Sequence, residues 1–149
     1  MKALLLLLSF FGVLTLSCQE LPKDYRGEEG RKKLERYENQ FVKGVVVLDD
    51  KLRDRLPEKP FFLIIAVKSP DDPQPIAVLR VKNPEFPFSF KITGKNKIRQ
   101  DRLIEGDLLI SVRVSKSSMA EAQKGDLVGG ATAKAGDRNV KVVIDTEVP

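Results

Sequence analysis

The sequence predicts an all-β fold, an antiparallel sandwich of about seven strands, preceded by an apolar leader and a charged spacer. Three observations lead there. Short β-branched and aromatic runs recur from residue 43 onward, with turn residues between them. Several of these runs alternate apolar and polar positions with the period of two that a half-buried strand requires. No stretch in this region carries the longer period of a convincing helix.

The elements follow in order. GVVVLD (44–49) is a β-branched run. FFLIIAV (61–67) is apolar on both faces, as a central strand of a sandwich would be. A proline-rich turn, SPDDPQP, leads into IAVLRVK (76–82). In FPFSFKI (86–92), Phe86, Phe88, Phe90 and Ile92 point one way, and Pro87 suits an edge strand. DLLISVRV (107–114) sets Leu108, Ile110, Val112 and Val114 on one face, with Leu109, Ser111 and Arg113 on the other. LVGGATAK (127–134) is a weaker strand because of its glycines. AGDRN (135–139) is a turn, and VKVVIDT (140–146) alternates Val140, Val142 and Ile144. This spacing fits a sandwich of immunoglobulin-like type, with a partly closed barrel as the competing architecture. One Cys and no Trp leave no Cys…Trp…Cys pattern, so the likeness is architectural.

The leader is MKALLLLLSFFGVLTLSC. Lys2 is a short positive start, and residues 3–16 form an apolar stretch too short for a comfortable membrane span. The end, LTLSC, resembles a bacterial lipoprotein signal, which implies cleavage after Ser17 and acylation of Cys18. Thr15 and Leu16 depart from the usual residues of that signal. An ordinary secretory signal and an uncleaved anchor are the other readings. The expected organisation is a signal peptide at 1–17, a lipidated Cys18 with a charged spacer or short helix over 18–40, and a β-sandwich over 41–149. Within 19–40 a polar spacer is the default reading; Leu34, Tyr37 and Phe41 form one thin apolar stripe of the alternative, a short docked helix from about 28 to 40. Two or three acyl chains would hold the protein to a membrane, with the folded part outside the cytoplasm. Gln19 is not the Asp that retains lipoproteins at the inner membrane of enteric bacteria, which favours the outer membrane.

Composition narrows the chemistry. The chain has no His, which removes the commonest general base and metal ligand. With Cys18 acylated no free thiol remains for thiolate catalysis, disulfides or sulfur-ligated metals. Ser111, Ser115, Ser117 and Ser118 lack an imidazole partner, and Lys116 in a polar loop lacks the desolvation a lysine base needs. Asp49–Asp50 and Asp71–Asp72 are adjacent pairs that read as turn chemistry rather than as acid–base or calcium sites. GDLVGG has neither phosphate-loop spacing nor a following helix. A net charge of +5 with interspersed signs reads as a basic surface rather than a nucleic-acid groove. No catalytic residue, metal site or cofactor is expected.

Four stretches together carry a resemblance: PIAVLRV (75–81), FPFSFKI (86–92), SVRVSKSSMAEAQKGDLVGG (111–130) and VKVVID (140–145). Their order and spacing are similar to the C-terminal periplasmic domain of the cytochrome c biogenesis protein CycH, over roughly residues 43–149. The loop at 111–130 is the most specific piece, although Ser118 stands where the family pattern has Gly. The resemblance implies an immunoglobulin-like fold outside the membrane. It also implies a non-catalytic role in c-type cytochrome assembly, with apocytochrome c or assembly components as protein partners. The family's membrane helices and helical repeats have no counterpart in these 149 residues. A structural envelope lipoprotein unrelated to cytochromes is the main rival. An envelope enzyme and a small-ligand or lipid carrier are the others.

The loop from Arg113 to Gly130 is the candidate site. It has two readings: a connection pinned by Ser and Asp bonds to backbone, or a partner-binding surface on which Arg113 and Lys116 present donors.

Overall fold

The computed structural model describes residues 26–149, and the leader with Cys18 lies outside them. Seven strands follow one helix: α1 (Gly27–Glu38), β1 (Phe41–Leu48), β2 (Phe62–Lys68), β3 (Ala77–Lys82), β4 (Phe88–Thr93), β5 (Asp107–Ser115), β6 (Leu127–Lys134) and β7 (Val140–Glu147). Each strand coincides with one of the seven sequence runs, to within about three residues at the ends. Short 3-10 turns at Asp50–Arg55 and Gly94–Asn96 follow β1 and β4.

The strands hydrogen-bond in the order β3-β2-β5-β6-β7-β1-β4. All neighbours are antiparallel except β1 and β7, which run parallel from Gly44 opposite Val140 to Leu48 opposite Ile144. This ribbon folds over on itself into a sandwich-like all-β body. Its ends approach where Ala77 bridges Lys97 and the Ile98 amide donates to the Ile76 carbonyl at 2.9 Å. β4 is an edge strand, as Pro87 requires, and Pro87 sits just before its first residue.

Alternation decides which residues reach the core. On β5, Leu108, Ile110, Val112 and Val114 are all buried, while Leu109 is exposed. On β4, Phe90 and Ile92 are buried and Ser89 and Lys91 exposed. Facing rows from β1 (Val42, Val46) and β7 (Val142, Ile144) complete the apolar centre. Each such side chain contributes about 1.5–3 kcal/mol relative to exposure. β2 is buried on both faces because it is central, between β3 and β5.

β6 is tolerant of its glycines for a packing reason. A Cβ on Gly129 would sit 2.0 Å from the Val143 carbonyl oxygen, and the β6–β7 register shifts between Val128 and Gly129. The missing side chain lets the two backbones close and the ribbon turn there.

The spacer forms a helix over its second half. Glu28 and Glu29 lie in the first turn of α1 and Arg36 in the last, matching the helix dipole. The expected apolar stripe does little: Leu34 is half-buried and Tyr37 is 51% exposed. Polar ties hold the helix instead. Arg36 pairs with Glu105, whose carboxyl is held below its usual range mainly by the hydrogen bond from Arg36. The Gln40 side chain accepts from the Ile104 amide at 2.8 Å and donates to the Arg36 carbonyl at 2.9 Å.

Candidate interaction site at the 113–130 loop

β5 delivers Arg113 on its outer face, opposite Ile64 of β2 and Val128 of β6. Such a position on an edge-free strand is open only if nothing roofs it. Here the following loop, Lys116 to Gly125, turns back over this face and covers it. Arg113 is consequently only 8% exposed.

Both terminal nitrogens of the guanidinium are engaged with the loop. Its Nη1 donates to Asp126 Oδ2 at 2.9 Å, and its Nη2 donates to the Met119 carbonyl and, at 3.4 Å, to the Ala120 carbonyl. The planar fork suits this task, since one side chain satisfies a carboxylate and two backbone acceptors at once. Asp126 is buried too, and the same Oδ2 accepts from the Gln123 amide at 2.8 Å. No buried side-chain polar atom among the described residues lacks a partner.

Serines shape the first half of the loop. Ser115 Oγ accepts from the Ser117 amide and Ser117 Oγ accepts from the Met119 amide, both at 3.1 Å. These are two successive local side-chain-to-backbone turns. The second half is tied to the chain end: the Gly125 amide donates to the Val148 carbonyl at 2.9 Å, and the Val148 amide to the Asp126 carbonyl at 2.8 Å. Gly125 has φ +86, a left-handed turn position that favours glycine.

Of the two predicted donors, the structure therefore separates one from the other. Arg113 lies under the loop and serves its carbonyls, while Lys116 is exposed. The loop tip around it also exposes Ser118, Glu121, Lys124 and Met119, the last at 61%. Between loop and sheet lies a slot of about 390 Å³, lined by Ile64, Ser111 and Arg113 below, Ala120 and Ala122 above, and Pro73 at one side.

The serine and aspartate candidates fall into structural roles. Ser115 is buried in its turn bond, and the exposure of Lys116 is the opposite of what a lysine base requires. Asp49 Oδ1 accepts from the Lys51 amide at 3.0 Å, and Asp50 pairs with Arg53 at 2.8 Å. Asp71 accepts from Ser69 Oγ. Asp72 is the centre of a network that adjacency in sequence does not reveal. It accepts from the Gln74 amide at 2.9 Å, from Arg99 at 2.6 Å and from Arg102 at 2.9 Å. The Gln74 bond first, then those two arginines, hold its carboxyl down at about 2. The network ties the 69–75 turn to the 97–102 segment. No cluster of three metal-ligating side chains occurs among the described residues. A depression of about 700 Å³, open to solvent, is floored by Leu48, Leu56, Phe61 and Phe86, with Arg53 and Lys59 on its rim. Sequence reading missed it because its wall comes from the irregular 56–61 and 84–87 segments.

Comparison with known proteins identifies a family. A family model described as the cytochrome c-type biogenesis protein H Ig-like domain matches residues 42–145. That span holds all seven strands almost entirely, together with the loop, and bears out the resemblance and the immunoglobulin-like sandwich expected from the sequence. The chain is also similar to an uncharacterized protein of Aquifex aeolicus (strain VF5), 53% identical over 145 residues, covering 97% of this chain and 95% of the relative. No solved structure matches it.

Proposed function

The chain belongs to the Ig-like domain family of cytochrome c-type biogenesis protein H, and from that premise we propose that it is a non-catalytic binding module assisting c-type cytochrome maturation outside the cytoplasm. Its partner is apocytochrome c or another component of the assembly machinery. The observation that carries the reading is the pinned loop. A guanidinium, two serines and two backbone ties fix an exposed polar tip. Rigid loops on a β-scaffold bind without paying a large ordering cost. Lys116 and Met119 are the contact residues, and Arg113 is the positioning residue behind them.

The organisation proposed is a signal peptide at 1–17, an acylated Cys18, a spacer to residue 40 that includes α1, and the sandwich over 41–149. No described helix is long and apolar enough to cross a membrane. A lipid anchor on Cys18 would supply the attachment, with the outer membrane favoured by Gln19.

The test is capture from a membrane extract of the native cells with the intact chain as bait, at low and moderate salt. Recovery of apocytochromes or haem-lyase subunits, lost in the Lys116→Ala/Met119→Ala double variant at unchanged melting temperature, is the expected result. A folded bait that recovers neither would sink the cytochrome reading and favour a structural envelope lipoprotein.

A further inference from the structure

We infer that the outer face of β4, β1 and β7, around Phe41, rests on an anionic phospholipid surface. This goes beyond partner docking and concerns a different face of the molecule. The inference starts from register. Lys43 of β1 lies directly opposite Lys91 of β4, and both point outward by strand alternation. Lys141 of β7 is opposite Val45, two residues further along the same face. Arg138, in the turn before β7, completes the group.

Like charges placed opposite one another in a sheet are unfavourable unless something outside the protein compensates. Some cations elsewhere in the fold find carboxylates: Arg36 has Glu105, Arg99 has Asp72 and Arg113 has Asp126. Lys43, Lys91, Arg138 and Lys141 have none at ion-pair distance among the described residues. The carboxylate nearest in sequence, Asp137, accepts from the Lys134 amide of its own turn. Two of the cations are instead held in place by an aromatic ring. The Arg138 guanidinium lies 4.8 Å and the Lys91 ammonium 5.7 Å from the Phe41 ring centroid. The face thus presents fixed positive charge around a partly exposed aromatic ring, the composition of a membrane-contacting surface.

Position favours lipid over an acidic polypeptide. The leader joins the described chain at the start of α1, and the C-terminal end of that helix leads into Phe41 at the start of β1. If Cys18 is acylated, the nine residues from 18 to 26 span at most roughly 30 Å and α1 adds about 18 Å, which keeps the domain within reach of the headgroups.

The experiment uses the full chain with vesicles of phosphatidylcholine alone, or with about a quarter phosphatidylglycerol. Lysine acetylation is followed by mass spectrometry. Lys51 and Lys59, which lie beyond the far end of β1, are the internal references. Anionic vesicles should slow acetylation of Lys43, Lys91 and Lys141 roughly tenfold against the references, and about 0.5 M salt should abolish the effect. The exposed-site substitutions Lys91→Glu and Arg138→Glu should each weaken partition onto those vesicles by at least fivefold, at unchanged melting temperature. Equal labelling in both lipid compositions would overturn the inference. So would protection by added polyglutamate in neutral vesicles with none from phosphatidylglycerol, which would assign the face to an acidic polypeptide. A chain that stays off neutral vesicles but is protected by anionic ones would refute the lipid anchor and leave this inference standing.

Discussion

Arg113→Ala is the substitution that most directly separates a positioning role from a contact role at the loop. The Arg113 and Asp126 side chains are only 10% and 7% exposed, and they meet at 2.9 Å. Removing the arginine leaves a buried carboxylate with its charge uncompensated, and strips the Met119 and Ala120 carbonyls of their donor. Breaking such a pair from one side costs about 3–5 kcal/mol. In a domain of this size that lowers the melting temperature by roughly 10–20 °C. Lys116→Ala, one loop position away from the strand, should stay within about 0.5 kcal/mol. Urea unfolding of both variants, followed by circular dichroism, measures the contrast. Arg113→Met combined with Asp126→Leu should recover much of the loss, because an apolar pair of similar volume removes both the orphaned charge and its desolvation. The reasoning fails if Arg113→Ala unfolds within about 1 kcal/mol of the wild type. It also fails if the double substitution is as damaging as the sum of its parts.

Further outcomes follow from the same geometry. Asp72 has a folded pKa of about 2, below the roughly 3.9 of an unfolded aspartate, so its contribution is complete above about pH 4 and is lost as pH falls towards 2; the stability gap between wild type and Asp72→Asn should therefore be largest near neutrality and close across that window in acid-unfolding curves. Gly129→Ala places a Cβ 2.0 Å from the Val143 oxygen and should destabilise by about 2–3 kcal/mol in a denaturant melt, with the β6–β7 amides exchanging faster. Gln40→Ala removes the acceptor of the Ile104 amide and should speed exchange along α1, while costing the sandwich only about 1–2 kcal/mol.

The strands were legible because burial in a sheet imposes a period of two, and Leu108, Ile110, Val112 and Val114 obey it without exception. The parallel β1–β7 pairing was not legible. It depends on which strands meet in space, and local alternation is the same for either direction. Helix α1 was half legible: its span was visible, but its stripe of Leu34 and Tyr37 suggested apolar docking where Arg36 and Gln40 make the contacts. Arg113 shows the limit for the site. As a charged residue at an outward strand position it reads as a surface donor, and the loop that roofs it becomes visible only with the fold. A usable signal was present in Asp126, a carboxylate beside a glycine at the start of the paired strand, near enough for β5–β6 register to bring it to Arg113.

The two proposed surfaces gain force from where the topology puts them. Val140, the first residue of β7, pairs with Gly44 beside the cationic face, and Glu147, the last, pairs with Leu127 beside the loop. Along a strand with a rise of about 3.3 Å per residue, these ends are roughly 23 Å apart. Under the proposed anchoring at Cys18, resting the outer face of β4, β1 and β7 on lipid would leave the 113–130 loop, which roofs β5 beside β2, on the other half of the strand order. The arrangement makes a joint claim. Charge reversal at Lys91 and Arg138 should leave partner capture in detergent extract intact, yet reduce it on anionic vesicles where orientation matters. Loop substitutions at Lys116 and Met119 should reduce capture in both settings. Equal losses from the two sets of substitutions in detergent would mean that one contiguous surface binds the partner, and the division between a membrane end and a partner end would be wrong.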